Sequence, residues 1–287
     1  MLQDKPLPLL KPLKSFYERL RYGQTSADFV SKGCIPWTPG YERYKWQAIS
    51  KVVYDDNFAS IIGTERYGYR IDERIVELPW LLSTLPRGPQ RLLDAGSALN
   101  FHPLLKHPRI AEKKVFISTL APESHAFWNR GVSYVYEDIR DTCFRENYFD
   151  SVACISTLEH VGLDNTLLYT DDRTKRESDA SSYLHFIDVL RSRLKVGGRL
   201  YVSFPFGKAK SHGWFQVFDG AMVDGLIERF NPSASNEVIF RYANDRWSTA
   251  TRDEANDAVC YDINVDKTYA PDFCAFSRAV ACLELVR

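Results

Sequence analysis

The sequence contains no CxxC pair, and none of its six cysteines (Cys34, Cys143, Cys154, Cys260, Cys274, Cys282) stands at metal-ligand spacing from a histidine. That removes the usual signature of a structural zinc site or a redox dithiol. The thiols read as reduced, mostly buried residues of a cytoplasmic protein, and no metal is expected. No apolar run approaches the length of about 18 residues that marks a membrane span. The chain begins with prolines and charges in place of a long apolar stretch, so no signal peptide is expected. Net charge is missing too: 37 basic residues balance 37 acidic ones, which argues against nucleic acid or an anionic membrane as partner. There is no internal repeat and no low-complexity tract. What remains is an ordinary globular composition over 287 residues, enough for one large domain or two. Aromatic residues are abundant before residue 80 and again after Phe204. They read first as core and second as a hint of a substrate pocket.

Two regions differ in pattern. Residues 1–87 do not alternate strand and helix. Leu2–Leu13 reads as a proline-punctuated extended arm, Ser15–Tyr22 as a short helix and Gly33–Gly40 as loop. Tyr41–Tyr54 repeats Tyr44, Ala48, Ile49 and Val52 at helical spacing. A second helix fits Asp72–Leu85 with Ile75, Val76, Trp80 and Leu81 inward, and Pro79 implies a kink or early stop. The region reads either as a helical cap over the main domain or as a purely structural extension.

From residue 88 to 287 the pattern is α/β. Strands are expected at Arg91–Ala95, Lys114–Ser118, Val132–Tyr136, Ser151–Ile155 and Arg199–Phe204, with closing strands at Glu237–Tyr242 and Ala279–Val286. Helices are expected at Pro122–Asn129, Ser181–Leu194 and Asp219–Phe230. Ser181 or Ser182 could cap the second, whose inward face is Leu184, Ile187, Leu190 and Leu194. Gly207–Gly213 reads as loop. This alternation predicts a doubly wound, mainly parallel sheet.

In such a sheet ligands bind outside the carboxyl ends of the strands. That rule selects Asp94 and Gly96 after the first strand, and Ser118, Thr119 and Leu120 after the second. It selects Asp138 and Ile139 after the third, and Ser156–His160 after the fourth. The turn at Asp94-Ala95-Gly96-Ser97 suits close approach of a ligand to backbone N–H groups, since glycine tolerates positive φ.

Four segments in order resemble class I S-adenosylmethionine-dependent methyltransferases. They are Leu92-Leu93-Asp94-Ala95-Gly96-Ser97, then Tyr136-Glu137-Asp138-Ile139. Asn147-Tyr148-Phe149-Asp150-Ser151-Val152 with Ile155-Ser156-Thr157-Leu158-Glu159-His160-Val161 is the third, and Leu190–Leu200 the fourth. The resemblance covers residues 88 to 206 well. It implies a seven-stranded sheet with an antiparallel terminal strand and S-adenosylmethionine as cofactor. It further implies that Asp94, Gly96 and Ser97 face the cofactor's methionine portion, which Ser156 and Thr157 also line. Asp138 would accept from the adenine amino group and the Ile139 amide would reach a ring nitrogen. Thr119 and Leu120 would lie by the ribose, and His160 at the mouth near the transferred methyl. Two positions depart from the family. Ala98 and Asn100 stand where glycine is usual, and Asn100 tolerates the left-handed conformation better than most residues. Thr119 stands where an acid usually holds the ribose hydroxyls, a task Glu123 could share.

A sulfonium methyl is already electrophilic, so such an enzyme needs alignment more than a nucleophile. A hydroxyl acceptor needs a base, for which His160 and His212 are candidates. Lys208–Trp214 follows the fifth strand, where Lys208 and Trp214 could hold a polar acceptor. The polar stretch Asp164–Asp179, with Tyr169, could close as a lid. The expected acceptor is a small molecule, with a saccharide or surface-glycan intermediate methylated at oxygen preferred. The rivals are a non-catalytic cofactor- or partner-binding domain and a nicotinamide-dependent oxidoreductase. The second lacks both its Gly-x-Gly-x-x-Gly run and the acid about 20 residues beyond.

Overall fold

From Arg91 onward the chain lays down strands where its pattern predicts them, with α-helices between only some of them. The structure, a computed structural model, describes residues 25–170 and 172–287. The expected arm at Leu2–Leu13 and helix at Ser15–Tyr22 lie outside those residues. The strands are β1 (Arg91–Ala95), β2 (Lys114–Thr119), β3 (Ser133–Tyr136), β4 (Phe149–Ile155), β5 (Leu194–Pro205), β6 (Lys210–Ser211), β7 (Gln216–Val217), β8 (Ala234–Ala243), β9 (Arg246–Ala250) and β10 (Ala279–Val286).

Eight of them form one sheet in the order β3-β2-β1-β4-β5-β10-β8-β9. The first five are parallel to one another. β10 runs antiparallel between β5 and β8. The fold is thus a doubly wound, mainly parallel α/β sheet with an antiparallel terminal strand. The chain works outward from β1 to β3 and then returns to β4 on the other side of β1. The order reverses between β1 and β4, and this switch point leaves a crevice at their carboxyl ends.

The sheet has eight strands, not the seven implied by the resemblance. The extra strand is β9, paired with β8 through Asn244 and Asp245, both in the left-handed region. A two-residue hairpin needs that conformation, and Asn-Asp supplies it less conspicuously than Asn-Gly. The expected loop at Gly207–Gly213 instead contributes β6 to a two-stranded ladder with β7. No helix forms at Pro122–Asn129. There Asn100 Nδ2 donates to Glu123 Oε2 (2.9 Å) and to the His125 carbonyl (3.0 Å), pinning an irregular segment that ends in a 3-10 turn at Trp128–Arg130.

Two longer helices precede the sheet: α1 (Tyr41–Asp55) and α2 (Arg74–Thr84). Pro79 sits inside α2 without stopping it. A proline cannot donate to the carbonyl four residues earlier. Here that carbonyl, of Ile75, accepts the Tyr67 hydroxyl at 2.7 Å instead. Ile75, Val76, Trp80 and Leu81 of α2 are buried as their spacing predicts, and Leu78 is buried with them. They join Ile49 and Val52 of α1 with Leu92, Ile117, Tyr201 and Cys282 in one core on one face of the sheet. Each such aliphatic side chain stabilises the fold by roughly 1.5–3 kcal/mol through burial, so the N-terminal helices and the sheet share one core. On the other face, α3 (Ser182–Arg193) and α4 (Gly220–Phe230) bring Ile187, Leu190, Val223 and Leu226 against Leu93, Val152 and Leu200. Asp219 caps α4 by accepting from the Met222 N–H at 2.9 Å. Ser181 precedes α3 without making a side-chain cap.

All six cysteines are free, and only Cys143 is exposed. No helix among the described residues is long and apolar enough to cross a membrane.

Candidate active site

The carboxyl ends of β1 to β4 open into one cavity of about 860 Å³. Ala95 and Gly96 line it from β1, Ser118, Thr119 and Leu120 from β2, Glu137, Asp138 and Ile139 from β3, and Ser156 and Thr157 from β4. His160, Tyr169, Lys175 and Glu177 close it from the segment after β4, and Arg74 enters from α2.

Gly96 is fixed by sterics. Its N–H donates to the Ser118 carbonyl at 2.9 Å, and its φ is +118°. A Cβ there would stand 2.0 Å from Thr157 Oγ1, so the β1 turn and the end of β4 approach as closely as they do only because the side chain is missing. Ser97 follows at φ +75°, and its buried hydroxyl has no hydrogen-bond partner among the described residues.

Asp94 lies beneath this turn, not on the cavity. Its carboxylate accepts from the backbone N–H of Ala98 (3.2 Å) and Leu99 (2.8 Å). Complete burial pushes its pKa up to about 7 against the pull of those two donors. Asp94 therefore shapes the loop that a ligand would meet. Asn100 also stands behind the cavity, accepting from the Tyr134 hydroxyl at 2.8 Å while its amide holds Glu123. Asn100 is thus structural in placement, and Glu123 is already engaged.

Asp138 lines the cavity, but both of its oxygens are held by Arg140. The guanidinium Nε lies 3.0 Å from each, and the Arg140 amide donates to Oδ1 at 2.9 Å. Burial opposes the charge, yet these hydrogen bonds outweigh it and keep the carboxyl below its usual pKa. The other edge of Arg140 pairs with both oxygens of Glu177, at 2.8 and 2.5 Å. This one side chain therefore ties the end of β3 to the segment at residues 162–177. Glu137 is engaged as well, accepting from Ser118 Oγ, Thr142 Oγ1 and the Cys143 N–H.

His160 ends a 3-10 turn, Leu158–His160. Its Nδ1 lies 2.8 Å from the Trp214 carbonyl, and a carbonyl only accepts, so Nδ1 carries the proton and Nε2 the lone pair. Burial pulls the pKa down to about 4, with the carbonyl opposing and the nearby Arg74 charge adding to the fall. The imidazole is neutral at physiological pH. Beside it Glu159 is 1% exposed and pushed well above the usual carboxylate range, chiefly by burial.

The remaining sequence candidates fall elsewhere. His212 is folded back by the β6–β7 ladder, stacked on Phe215 at 4.2 Å with Nδ1 3.3 Å from Asp262 Oδ2. It does not line the cavity. Lys208 is exposed and outside it. Trp214 serves through its backbone carbonyl on His160, and its Nε1 donates away to Asp262 at 3.2 Å.

Sequence reasoning placed α2 but missed the part its charged residues play at the site. Glu77 is fully buried and accepts from Ser156 Oγ (2.6 Å), Ser203 Oγ (2.8 Å) and Arg74 NH1 (3.0 Å). It binds α2 to the ends of β4 and β5 and sets Arg74 at the cavity wall. The available signal was a pair of charges three apart on an otherwise apolar helix.

No protein-family model matches the sequence, and no curated protein matches it. Among solved structures, the chain is similar to the Burkholderia thailandensis 1,6-didemethyltoxoflavin-N1-methyltransferase with bound 1,6-didemethyltoxoflavin and S-adenosylhomocysteine. That likeness has 14% identity over 99% of this chain and 92% of the other, with a TM-score of 0.44. It is also similar to a SAM-dependent methyltransferase from Archaeoglobus fulgidus, at 13% identity over 76% and 96% with a TM-score of 0.47. Haemonchus contortus phosphoethanolamine N-methyltransferase 2, in complex with phosphomonomethylethanolamine and S-adenosylhomocysteine, is 11% identical over 75% and 52%, with a TM-score of 0.46.

Proposed function

We propose that the chain is an S-adenosylmethionine-dependent methyltransferase acting on a hydroxyl of a small polar acceptor, a saccharide or surface-glycan intermediate. The observation that carries this reading is the gathering of four strand ends around Gly96, at a place where no side chain fits, opposite a neutral histidine. The residues suit the cofactor. The Ala95–Gly96–Ser97 turn, with its partnerless hydroxyl, and Ser156–Thr157 would hold the methionine portion. Thr119, Leu120 and Glu137 would flank the ribose, and Asp138 and the Ile139 backbone the adenine.

When bound, the cofactor supplies an electrophilic methyl group. The chain's part is to align the acceptor and remove its proton. Nε2 of His160 has the free lone pair, and the Nδ1 bond to the Trp214 carbonyl steadies the ring as it gains charge. Tyr169, on the short helix Thr166–Tyr169, lines the same wall and would help orient the acceptor. Calorimetric titration with S-adenosylmethionine and S-adenosylhomocysteine tests the reading, and absence of binding by either would sink it.

A non-catalytic domain with a degenerate cofactor site is favoured by one observation, the engagement of both Asp138 oxygens by Arg140. An assay for S-adenosylhomocysteine release in the presence of glycan intermediates separates the two.

A further inference from the structure

The charges on the cavity wall are unequally spent. Asp138 and Glu177 are both consumed by Arg140, and Glu137 by two hydroxyls and a backbone N–H. The one other acid on the wall, Asp141, is exposed. Arg74 is different. Its NH1 donates to Glu77, but among the described residues its Nε and NH2 make no hydrogen bond, and its side chain remains 26% exposed on the cavity. An Nε–NH2 edge presents two parallel N–H groups, the fork that binds a carboxylate or phosphate in bidentate fashion. Lys175 also borders the cavity, exposed and without an ion pair among the described residues. Of the neighbouring acids Glu77 alone is ion-paired with Arg74, through NH1, which leaves the Nε–NH2 edge unengaged among the described residues. Asp72 is taken by Lys45 at 2.9 Å and by Tyr41 at 3.0 Å. Burial pushes the Glu73 carboxyl up to about 8 and raises that of Glu159 well above the usual carboxylate range.

We propose that Arg74 anchors the acceptor, and that the acceptor bears an anionic oxygen group, a carboxylate or a phosphate, as an acidic saccharide does. The inference rests on the methyl-transfer reading for where the acceptor sits. Arg74 lies on the same wall as His160 and Tyr169, so an anion gripped at its free edge would bring a neighbouring hydroxyl toward His160 Nε2. An amine acceptor would meet the guanidinium as a like charge.

The test is calorimetric, on the full chain with and without S-adenosylhomocysteine, using D-glucuronate, α-D-glucose 1-phosphate and neutral methyl α-D-glucoside as probes. At least one anionic sugar should bind about tenfold or more tightly than the neutral one, the scale expected for a hydrogen bond to a charged group. The tighter of the two identifies the carboxylate or the phosphate. Arg74→Gln should abolish the preference. Arg74→Lys, which keeps the charge but loses the fork, should retain only part of it. Lys175→Gln should leave most of it. Equal binding of all three sugars to the native chain, or a preference that survives Arg74→Gln in a variant that melts cooperatively, overturns the proposal. If Arg74→Gln fails to fold, the native comparison and Arg74→Lys still decide. The titration with S-adenosylhomocysteine alone reads the cofactor, so loss of that signal counts against methyl transfer and not against anion selection.

Discussion

The cavity has two walls made by different means. The strand wall consists of backbone: the Gly96 turn, the ends of β2 and β3, and Ser156–Thr157 at the end of β4. The cap wall consists of long side chains, Arg74 above all, delivered by a helix that precedes the sheet and fixed through Glu77. Each wall hides a buried acid behind it, Asp94 under the first and Glu77 with Glu73 under the second. In the strand wall the acid accepts from backbone N–H groups five residues away or fewer. In the cap wall Glu77 accepts from hydroxyls 79 and 126 residues away. One wall is local in sequence and the other is assembled by the fold.

The largest expected effect is therefore on the cap wall. Glu77→Ala leaves Arg74, Ser156 and Ser203 without their shared acceptor in a fully buried place. Removing one partner of a buried ion pair costs about 3–5 kcal/mol. Urea unfolding should show a loss of that size, and a loss below about 1 kcal/mol would mean that α2 is not held to the sheet through this carboxylate.

This difference also explains what could be read from residues alone. Strands β1 to β5, β8 and β10, the two long helices of the N-terminal region and the strand-end residues around Gly96 follow from apolar periodicity and glycine placement, which are local signals. Arg74, Glu77 and the Arg140–Glu177 pair did not, because charge pairs formed across many residues leave no periodic trace. His212 and Lys208 were drawn in by their position after β5. The β6–β7 ladder then turned His212 toward Asp262 and left Lys208 in solvent. Asp94 and Asn100 were placed at the right turn, yet a sequence does not tell a residue that faces the ligand from one that props up the loop behind it.

Gly96→Ala is the matching test of the strand wall. The strained backbone alone costs about 1–3 kcal/mol, and the added Cβ forces Thr157 to move. The loss of stability should be smaller than for Glu77→Ala. Affinity for S-adenosylhomocysteine should fall by at least tenfold, roughly 1.4 kcal/mol. Unchanged affinity in calorimetry would remove the turn from the proposed site.

Two of the buried acids give a pH test. Burial raises the pKa of Glu73 to about 8 and that of Asp94 to about 7 in the folded chain. The unfolded chain releases both protons at ordinary carboxylate values. The folded state thus holds more protons between those limits, so stability falls as pH rises through the window and the loss levels off above the folded pKa. Glu73→Gln cannot ionise and can still accept from the Ser277 N–H, as Glu73 Oε2 does at 3.2 Å. It should melt a few degrees higher than the native chain at pH 8.5 and close to it at pH 5. Asp94→Asn should flatten the curve only up to about pH 7, and it forfeits one of two accepted N–H bonds. Parallel melting curves for native chain and Glu73→Gln from pH 5 to 9 would show that Glu73 is ionised in the folded state. His160 has the opposite sign. Its pKa near 4 means stability present above the ordinary histidine range and lost as pH falls toward 4. The acid limb of kcat/KM should accordingly lie near pH 4 and not near 6.5.

The smallest effect belongs to the bridge from the strand wall to the segment at residues 162–177. Arg140 is partly exposed, as are Asp138 and Glu177, with side-chain exposures of 20%, 31% and 39%. Pairs in that setting contribute about 0.2–1 kcal/mol and are screened by salt. Arg140→Ala should therefore leave the unfolding midpoint almost unchanged, since neither wall depends on it for its own packing. What changes is the hold of the strand wall on residues 162–177, which carry Tyr169, and the loss of that hold should weaken S-adenosylhomocysteine binding by up to about fivefold. High salt should bring the native chain toward the variant, because the same screening that weakens the pair in one is irrelevant in the other. A tighter cofactor complex in Arg140→Ala would reverse the assignment: it would mean that the guanidinium competes with adenine for Asp138, and that the bridge opposes binding.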